Sequence, residues 1–437
     1  MAPGDEPWDA IVAGAGPAGT QFALDLARRD HDVLLLEASN ELGQPPKSTG
    51  GTFAEGMVEF NIDDDVFQHK TTDVVLEAPA APEDSTAFLK LDRYGGVLNF
   101  PKFKRRRAKK AEAAGAEIRT NARVIDPILD DDDEIIGVTH RGGHDVYGDL
   151  IIDATGEKAA IARDLGLRNL RDETFAQGWE YEMEGVDLQN TEDSMMLRLD
   201  PDVAPGGYAW IFHTGEDTAK VGVCWIEKKY RDQEGTGELK ENLEAWIDRD
   251  DRLQNATKIE GSDVHIGAAY IDSYWHVLQQ PCSTDNAMFV GDTVSSVDPI
   301  WGEGIYNCMQ SGRLAAMVAN DALNRDPVNT SANVLEKYDE LWKQRIAADR
   351  GTRVHLGELL YSRSADRYNR LMRQMNQLDL DTLADIYEGK GRALAKVAEL
   401  TDIPAFLRFK LNLVHDSLTE SSNLYRRIRQ EFSTEPT

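Results

Sequence analysis

Cysteine is scarce in this chain: Cys224, Cys282 and Cys308 are the only three in 437 residues, with no C-x-x-C spacing among them. That pattern excludes a disulfide framework and a closely spaced thiolate metal site, and it fits a reducing compartment. Long apolar runs are missing as well. No stretch of about 18 apolar residues offers a membrane span, and the polar start Met1 to Trp8 does not read as a secretory leader. Basic residues are few, 48 against 77 acidic ones, giving a net charge of -29. So negative a chain is a poor partner for nucleic acid. High salt screens such self-repulsion, so the composition points to a saline cytoplasm. Internal repeats are absent, and low complexity is confined to short acidic runs such as Asp63 to Asp65 and Asp130 to Glu134, which read as surface loops.

What is present begins at residue 9. Ala10 to Ala13 reads as a buried strand, and Gly14-x-Gly16-x-x-Gly19 then turns into a helix. A second strand, Asp32 to Leu36, ends on Glu37. Glycines at this spacing allow a tight turn and let a pyrophosphate approach the backbone at a helix N-terminus. An acid at the end of the second strand is placed to accept hydrogen bonds from ribose hydroxyls. Together these features predict a dinucleotide site, without choosing between NAD and FAD.

A second motif bears on that choice. Ala287 to Val290 is a short apolar strand ending in Gly291-Asp292; a loop with Pro299, Gly302 and Gly304 follows, and a helical pattern runs from Ile305 to Leu323. An acid at a strand end can bind a ribityl hydroxyl, and a nearby helix N-terminus can stabilise charge on a reduced isoalloxazine. By itself the segment is equally readable as a strand-to-helix turn with an Asp cap. A third strand, Leu150 to Ile152, runs into Asp153-Ala154-Thr155-Gly156. The three segments in this order resemble the FAD-dependent hydroxylase superfamily, in which one FAD spans the first and last and a D-x-x-G segment lies between. The resemblance implies an α/β protein with a Rossmann-like FAD-binding domain.

Three regions follow. Residues 1–170 and 286–330 are expected to form a discontinuous FAD-binding domain. Residues 171–285 are expected to be a sheet-rich substrate domain, with strands around 195–198, 208–213, 220–225 and 264–270. Residues 331–437 are expected to be a helical C-terminal region. Polar patches at 231–237 and 324–329 read as connectors.

In the substrate region, Tyr208, Trp210 and Phe212 alternate, so on a strand their rings share one face. They either pack a domain core or form a wall against an apolar ligand. GYAWIFHTGEDTAKVGV resembles the Y-x-W-x-F-P…G signature of geranylgeranyl reductases, with His213 where that family has Pro and Gly222 at the later glycine. Pro45 to Gly51 resembles the same family's P-x-x-C-G-G segment, with Ser48 in place of the cysteine. The resemblance covers roughly the first 320 residues.

It implies a flavoprotein that saturates isolated prenyl double bonds of isoprenoid lipids, archaeal-type ether lipids first among them. Reduced flavin supplies hydride, and a protein acid or water supplies the proton. It implies FAD contacts from Gly14, Gly16, Gly19, Glu37, Lys47, Thr49, Asp153, Gly156, Asp292, Gly302, Gly304 and Ile305. Tyr208, Trp210, Phe212 and Trp301 border the prenyl chain. A serine hydroxyl is a far poorer acid than a thiol. Ser48, Tyr306 and His213 are therefore candidate proton sources beside a bound water, and Ser48 to Gly51 is equally readable as a loop wrapping the cofactor.

The basic run KFKRRRAKK, residues 102–110, reads as a solvated helix face or as a receiver of anionic headgroups or nucleotide phosphate. Residues 403–413 read as a helix that packs back on the FAD domain or rests on a membrane surface. The electron donor is open between NAD(P)H and ferredoxin. A flavin monooxygenase acting on an aromatic substrate and a non-redox flavin-dependent isoprenoid cyclase are the alternative activities. A cytoplasmic location, peripheral to the membrane, is expected.

Overall fold

The computed structural model describes residues 7–79, 88–142, 144–169, 174–188, 193–233, 237–271, 279–348, 350–361 and 364–375. The apolar run before the first glycine motif forms the strand Trp8–Ala13, the middle of a parallel sheet. On one side it pairs with Val33–Leu36, which pairs with Glu117–Arg119. On the other it pairs with His144–Asp153, which pairs with Ala287–Phe289. Strands buried on both faces need continuous apolar sequence, and Ala10 to Ala13, Val33 to Leu36 and Leu150 to Ile152 are all buried. The helices Pro17–Ala27 and Ile305–Leu323 pack together over this sheet. An antiparallel ribbon, Val124–Leu129 with Ile135–His140, extends from His144–Asp153.

The second sheet is nearly all antiparallel and has nine strands. Its centre is Phe175–Glu184, Thr218–Ile226, Gly207–His213 and Ser194–Arg198, and Val264–Tyr270 pairs with the first of these. The expected strands are therefore all present. The span 1–170, however, is split between the sheets. Gly51–Phe53, Phe67–Glu77 and Phe88–Leu98 belong to the second sheet, where Phe67–Glu77 pairs with Ser194–Arg198. A parallel pairing between strands more than a hundred residues apart leaves no local signal, so the sequence read this segment with its neighbours.

The two faces of Gly207–His213 part as the alternation requires. Ala209 and Ile211 pack under the helix Leu239–Arg249 against Leu243 and Trp246, whereas Trp210 and Phe212 enter a separate cluster with Tyr361, Tyr368 and Met372. The last two come from the helix Ala365–Met375, and Tyr361 follows the helix Arg350–Leu360. The described part of the C-terminal region is thus helical, as expected; the stretch 403–413 lies outside the described residues. Of the two connectors, 324–329 is irregular, but Glu227–Asp232 is a short helix running into the other.

The basic run sits on the helix Phe100–Ala113, whose N-terminus is capped by Asn99. Its charges pair locally: Lys102 and Arg106 with Asp65, Lys110 with Asp63, while Arg107 is buried against Gln21 and the Phe60 carbonyl. The acidic run 63–65 is therefore the counterpart of the basic one rather than an isolated surface loop. No helix among the described residues is long and apolar enough to cross a membrane.

Candidate active site

One cavity of about 500 Å³ runs from the first glycine turn to the aromatic strand, between the two sheets. At one end, Gly14 holds φ +112° against the Ala154 carbonyl, and Gly16 precedes the helix Pro17–Ala27, whose N-terminus no side chain caps. A Cβ on Gly16 would meet nothing within 4 Å, so the turn leaves open space in front of unpaired helix N–H groups. That is the cradle an anionic pyrophosphate requires. Gly19 lies behind it; a Cβ there would overlap the Gly14 carbonyl oxygen and stand 3.0 Å from Ala154 Cβ. Glu37 lines the cavity and closes the turn, accepting from Ala15 N at 3.0 Å and Ser39 N at 2.8 Å.

The middle of the cavity is bounded by Lys47, Ser48 and Thr49 on one side and Thr155 to Lys158 on the other, with Lys47 Nζ 3.2 Å from Glu157 Oε1 across the gap. Ser48 Oγ accepts from Gly50 N at 3.1 Å, a local turn. Lys104 also faces the cavity; burial lowers its pKa and Glu37 opposes that shift. Farther along stand Asp292, Gly302, Gly304 and Ile305. Burial raises the Asp292 pKa to about 6, with Cys308 donating from 3.6 Å in the opposite sense. Gly302 adopts φ +67°, and a Cβ there would press on Tyr208 Oη at 2.9 Å.

The far wall carries Tyr208, Trp210 and Phe212, joined by Cys224, Ile266 and Tyr361. The Trp210 indole lies over bare backbone. A Cβ on Gly222 would overlap its ring, and one on Gly178 would stand 3.2 Å from it. Its Nε1 donates to the buried Glu180 Oε2 at 2.9 Å. Near that carboxylate the buried Lys220 donates to the Thr49 carbonyl at 2.6 Å and the Leu98 carbonyl at 3.1 Å. Burial lowers the Lys220 pKa and raises that of Glu180, and each charge opposes the other's shift.

Some expected site residues lie elsewhere. Asp153 is fully buried and spends its oxygens on Thr155 N, Thr155 Oγ1 and Ala162 N, so it shapes the D-x-x-G turn from within. Trp301 takes part through its carbonyl, which accepts from Tyr208 Oη at 2.7 Å, and it is not among the lining residues. His213 has the parity of Ala209 and Ile211 and points away from the cavity, its ring 4.0 Å from that of His69. Tyr306 is one residue past Ile305 and so about 100° round the helix; it packs on Phe60 and donates to Glu59 at 2.6 Å. Of the three expected proton sources, Ser48 lines the cavity, whereas His213 and Tyr306 do not. Cys308 also lines it, three residues after Ile305 on the same helix face, a spacing the sequence already contained. Arg123, Cys224 and Tyr361 also line the cavity, and no local sequence pattern places them there.

Two sheets joined by a cleft with a dinucleotide turn at one end and an apolar wall at the other define an oxidoreductase of the FAD-binding fold. Solved structures agree: a geranylgeranyl bacteriochlorophyll reductase-like protein from Thermoplasma acidophilum superposes with TM-score 0.78 at 25% identity, over 90% of this chain and 99% of that one. A flavin-dependent brominase shares the fold, with TM-score 0.68 at 16% identity over 95% and 100%. The profile of the geranylgeranyl reductase catalytic domain matches residues 175–266, and that of lycopene cyclase protein matches residues 9–212. Digeranylgeranylglycerophospholipid reductase of Haloferax volcanii is 44% identical over 91% of this chain and 96% of its own length; a second reductase of that name, from Methanopyrus kandleri, is 27% identical over 93% and 99%. The chain belongs to the digeranylgeranylglycerophospholipid reductase family.

Proposed function

We propose that this protein is an FAD-dependent reductase that saturates prenyl double bonds of an archaeal-type isoprenoid ether lipid. The observation that carries the reading is the continuity of the cavity: the glycine cradle and Asp292 open onto the same space as the Tyr208, Trp210 and Phe212 wall. Family membership supports the chemistry, and the acid-rich composition suits a saline cytoplasm.

The residues fit FAD. Gly14 and Gly16 leave room for a pyrophosphate, Glu37 would hold the ribose, and Asp292 would accept from the ribityl chain beside the helix start at Gly304, where Glu303 Oε1 accepts from Tyr306 N at 3.0 Å. When bound, reduced flavin supplies the hydride. The chain's part is to orient an alkene that carries no polar handle, which takes rigid apolar surface, and to keep bulk water out. Trp210, held by Glu180 and by two bare glycines, is such a surface. Electrons come from NAD(P)H or a ferredoxin, and the protein works in the cytoplasm at the membrane surface where its substrate lies.

The test is to reduce the holoenzyme with dithionite in high salt without oxygen and add a digeranylgeranyl ether lipid. Flavin reoxidation with a product heavier by two mass units per bond is the expected result. An unchanged mass would instead favour a cyclase, the reading to which the lycopene cyclase match lends weight. Reoxidation only on admitting oxygen would favour a monooxygenase.

Two smaller predictions follow from the site. Ser48 serves its own turn, so Ser48→Ala is expected to cost no more than about 1 kcal/mol of stability and to leave turnover within about threefold of wild type; a hundredfold loss in a steady-state assay would make it an acid. Ionised Asp292 would accept a ribityl hydroxyl more strongly than the protonated acid. With its pKa raised to about 6, flavin affinity of the apoprotein is expected to hold at higher pH and to weaken, by up to about tenfold per unit, as pH falls below that value. Fluorescence titration of apoprotein with FAD should show the fall, and Asp292→Asn should bind weakly and without it.

A further inference from the structure

The loop from Val297 to Gly302, which lines the cavity beside Asp292, is held by its own Asp298 and by four side chains from outside it. Arg350 Nη1 donates to the Val297 carbonyl at 3.1 Å, and Arg353 pairs with Asp298. Asp298 Oδ1 in turn accepts from Ile300 N at 2.9 Å and Trp301 N at 2.8 Å. The next two carbonyls, of Ile300 and Trp301, accept from the phenols of Tyr361 and Tyr208. Those two rings come from different elements, the end of a C-terminal helix and a strand of the second sheet. They stack with centroids 6.0 Å apart at 30°. Both line the cavity, and both phenols are pushed well above their ordinary pKa by burial, so they remain hydrogen-bond donors throughout the working pH range.

One pair of side chains thus has its rings in the apolar wall and its hydroxyls on consecutive carbonyls of the loop that faces the flavin position. We infer that Tyr361, with Tyr208, is a positioning residue that couples occupancy of the apolar tunnel to the conformation of the 297–302 loop, and so to the environment of the flavin. A chain pressing on the stacked rings moves the hydroxyls, and the hydroxyls carry the loop, because the loop's own N–H groups are already committed, those of Ile300, Trp301 and Gly302 to Asp298 and that of Asp298 to the Glu303 carbonyl. Packed interfaces respond in discrete steps rather than by smooth deformation, which makes a shared ring pair an effective relay. The inference rests on the proposed reading of the aromatic wall as a prenyl-chain surface.

The experiment uses oxidised holoenzyme and a digeranylgeranyl ether lipid in detergent, with binding followed by equilibrium partition of radiolabelled lipid and the flavin followed by its visible difference spectrum and midpoint potential. Wild type is expected to bind lipid and to show a lipid-induced flavin shift. Tyr361→Phe keeps the ring and removes the bond; it should bind lipid within about threefold of wild type while losing most of the flavin shift. Tyr208→Phe, which breaks the other half of the relay, should behave alike and serves if the first variant folds poorly. A merely structural tyrosine would lower flavin content and lipid binding together. Lipid binding to wild type with no flavin response, or a full response in both variants, would overturn the relay. Failure of wild type to bind lipid at all would remove the tunnel reading itself.

Discussion

Gly19→Val is expected to yield a folded but colourless protein, with flavin affinity reduced by at least about a hundredfold, the equivalent of roughly 3 kcal/mol. The cause lies behind the cradle rather than in it. Any Cβ at this position overlaps the Gly14 carbonyl oxygen and crowds Ala154 Cβ, so the helix Pro17–Ala27 must lift off the turn that Gly14 makes at φ +112°. Overpacking of this kind costs about 1–3 kcal/mol of stability, which a large first-sheet core can absorb. The pyrophosphate cradle has no such tolerance, because its donors are helix N–H groups fixed in direction by that packing. Gly16→Ala separates the two effects. Its Cβ would meet no protein atom, so the apoprotein should unfold at the wild-type temperature, yet the methyl group enters the space where the pyrophosphate approaches. The ratio of flavin to protein absorbance after purification, and titration of apoprotein with FAD, measure both variants. A Gly16→Ala protein that retains full flavin at wild-type affinity would sink the assignment of the cradle.

What could be read from the sequence was what local pattern encodes. The first glycine turn, the Asp292 strand end and the parity of Tyr208, Trp210 and Phe212 are all short-range features, and each stands where its spacing puts it. Parity applied one step further would have removed His213, which shares the face of Ala209 and Ile211. The helical period would likewise have exchanged Tyr306 for Cys308. The features that stayed hidden depend on pairings remote in sequence. Among them are the entry of Phe67–Glu77 into the second sheet, the pairing of the basic helix with Asp63 and Asp65, and the meeting of Tyr361 with Tyr208. Lys220 and Glu180 belong with these. Each is a charged residue on a strand, a pattern usually read as a solvated face, and only the fold brings the two together in the interior.

That buried pair carries the second large expectation. Lys220→Met is expected to lower the stability of the protein by about 2–4 kcal/mol, because it takes the donor from two buried carbonyls and the nearby opposite charge from Glu180. Methionine keeps much of the lysine stem's volume, so the loss is chiefly electrostatic. Without the ammonium, Glu180 is left buried with no cation near it while the Trp210 indole N–H still donates to its Oε2, and the carbonyls of Thr49 and Leu98 lose their donor. The pH dependence has a definite sign. Burial already raises the Glu180 pKa from its ordinary 4.5, and removing Lys220 raises it further. A carboxyl whose folded pKa is raised favours the fold most below its unfolded value and loses that contribution as pH rises through the folded one. The deficit of Lys220→Met against wild type should therefore be smaller at about pH 5 than at about pH 8. Adding Glu180→Gln should recover most of it, since the amide oxygen still accepts from Trp210 and no charge is stranded. Activity should not recover in step. The double variant still lacks the donor to the Thr49 carbonyl, so the segment from Lys47 to Gly51 stays loose beside the flavin and turnover remains about tenfold down. Urea unfolding at matched high salt, run as a double-mutant cycle beside the turnover assay, distinguishes the two effects. A strictly additive cycle would mean that the two charges do not depend on each other, and full recovery of turnover in the double variant would mean that Lys220 acts only through stability.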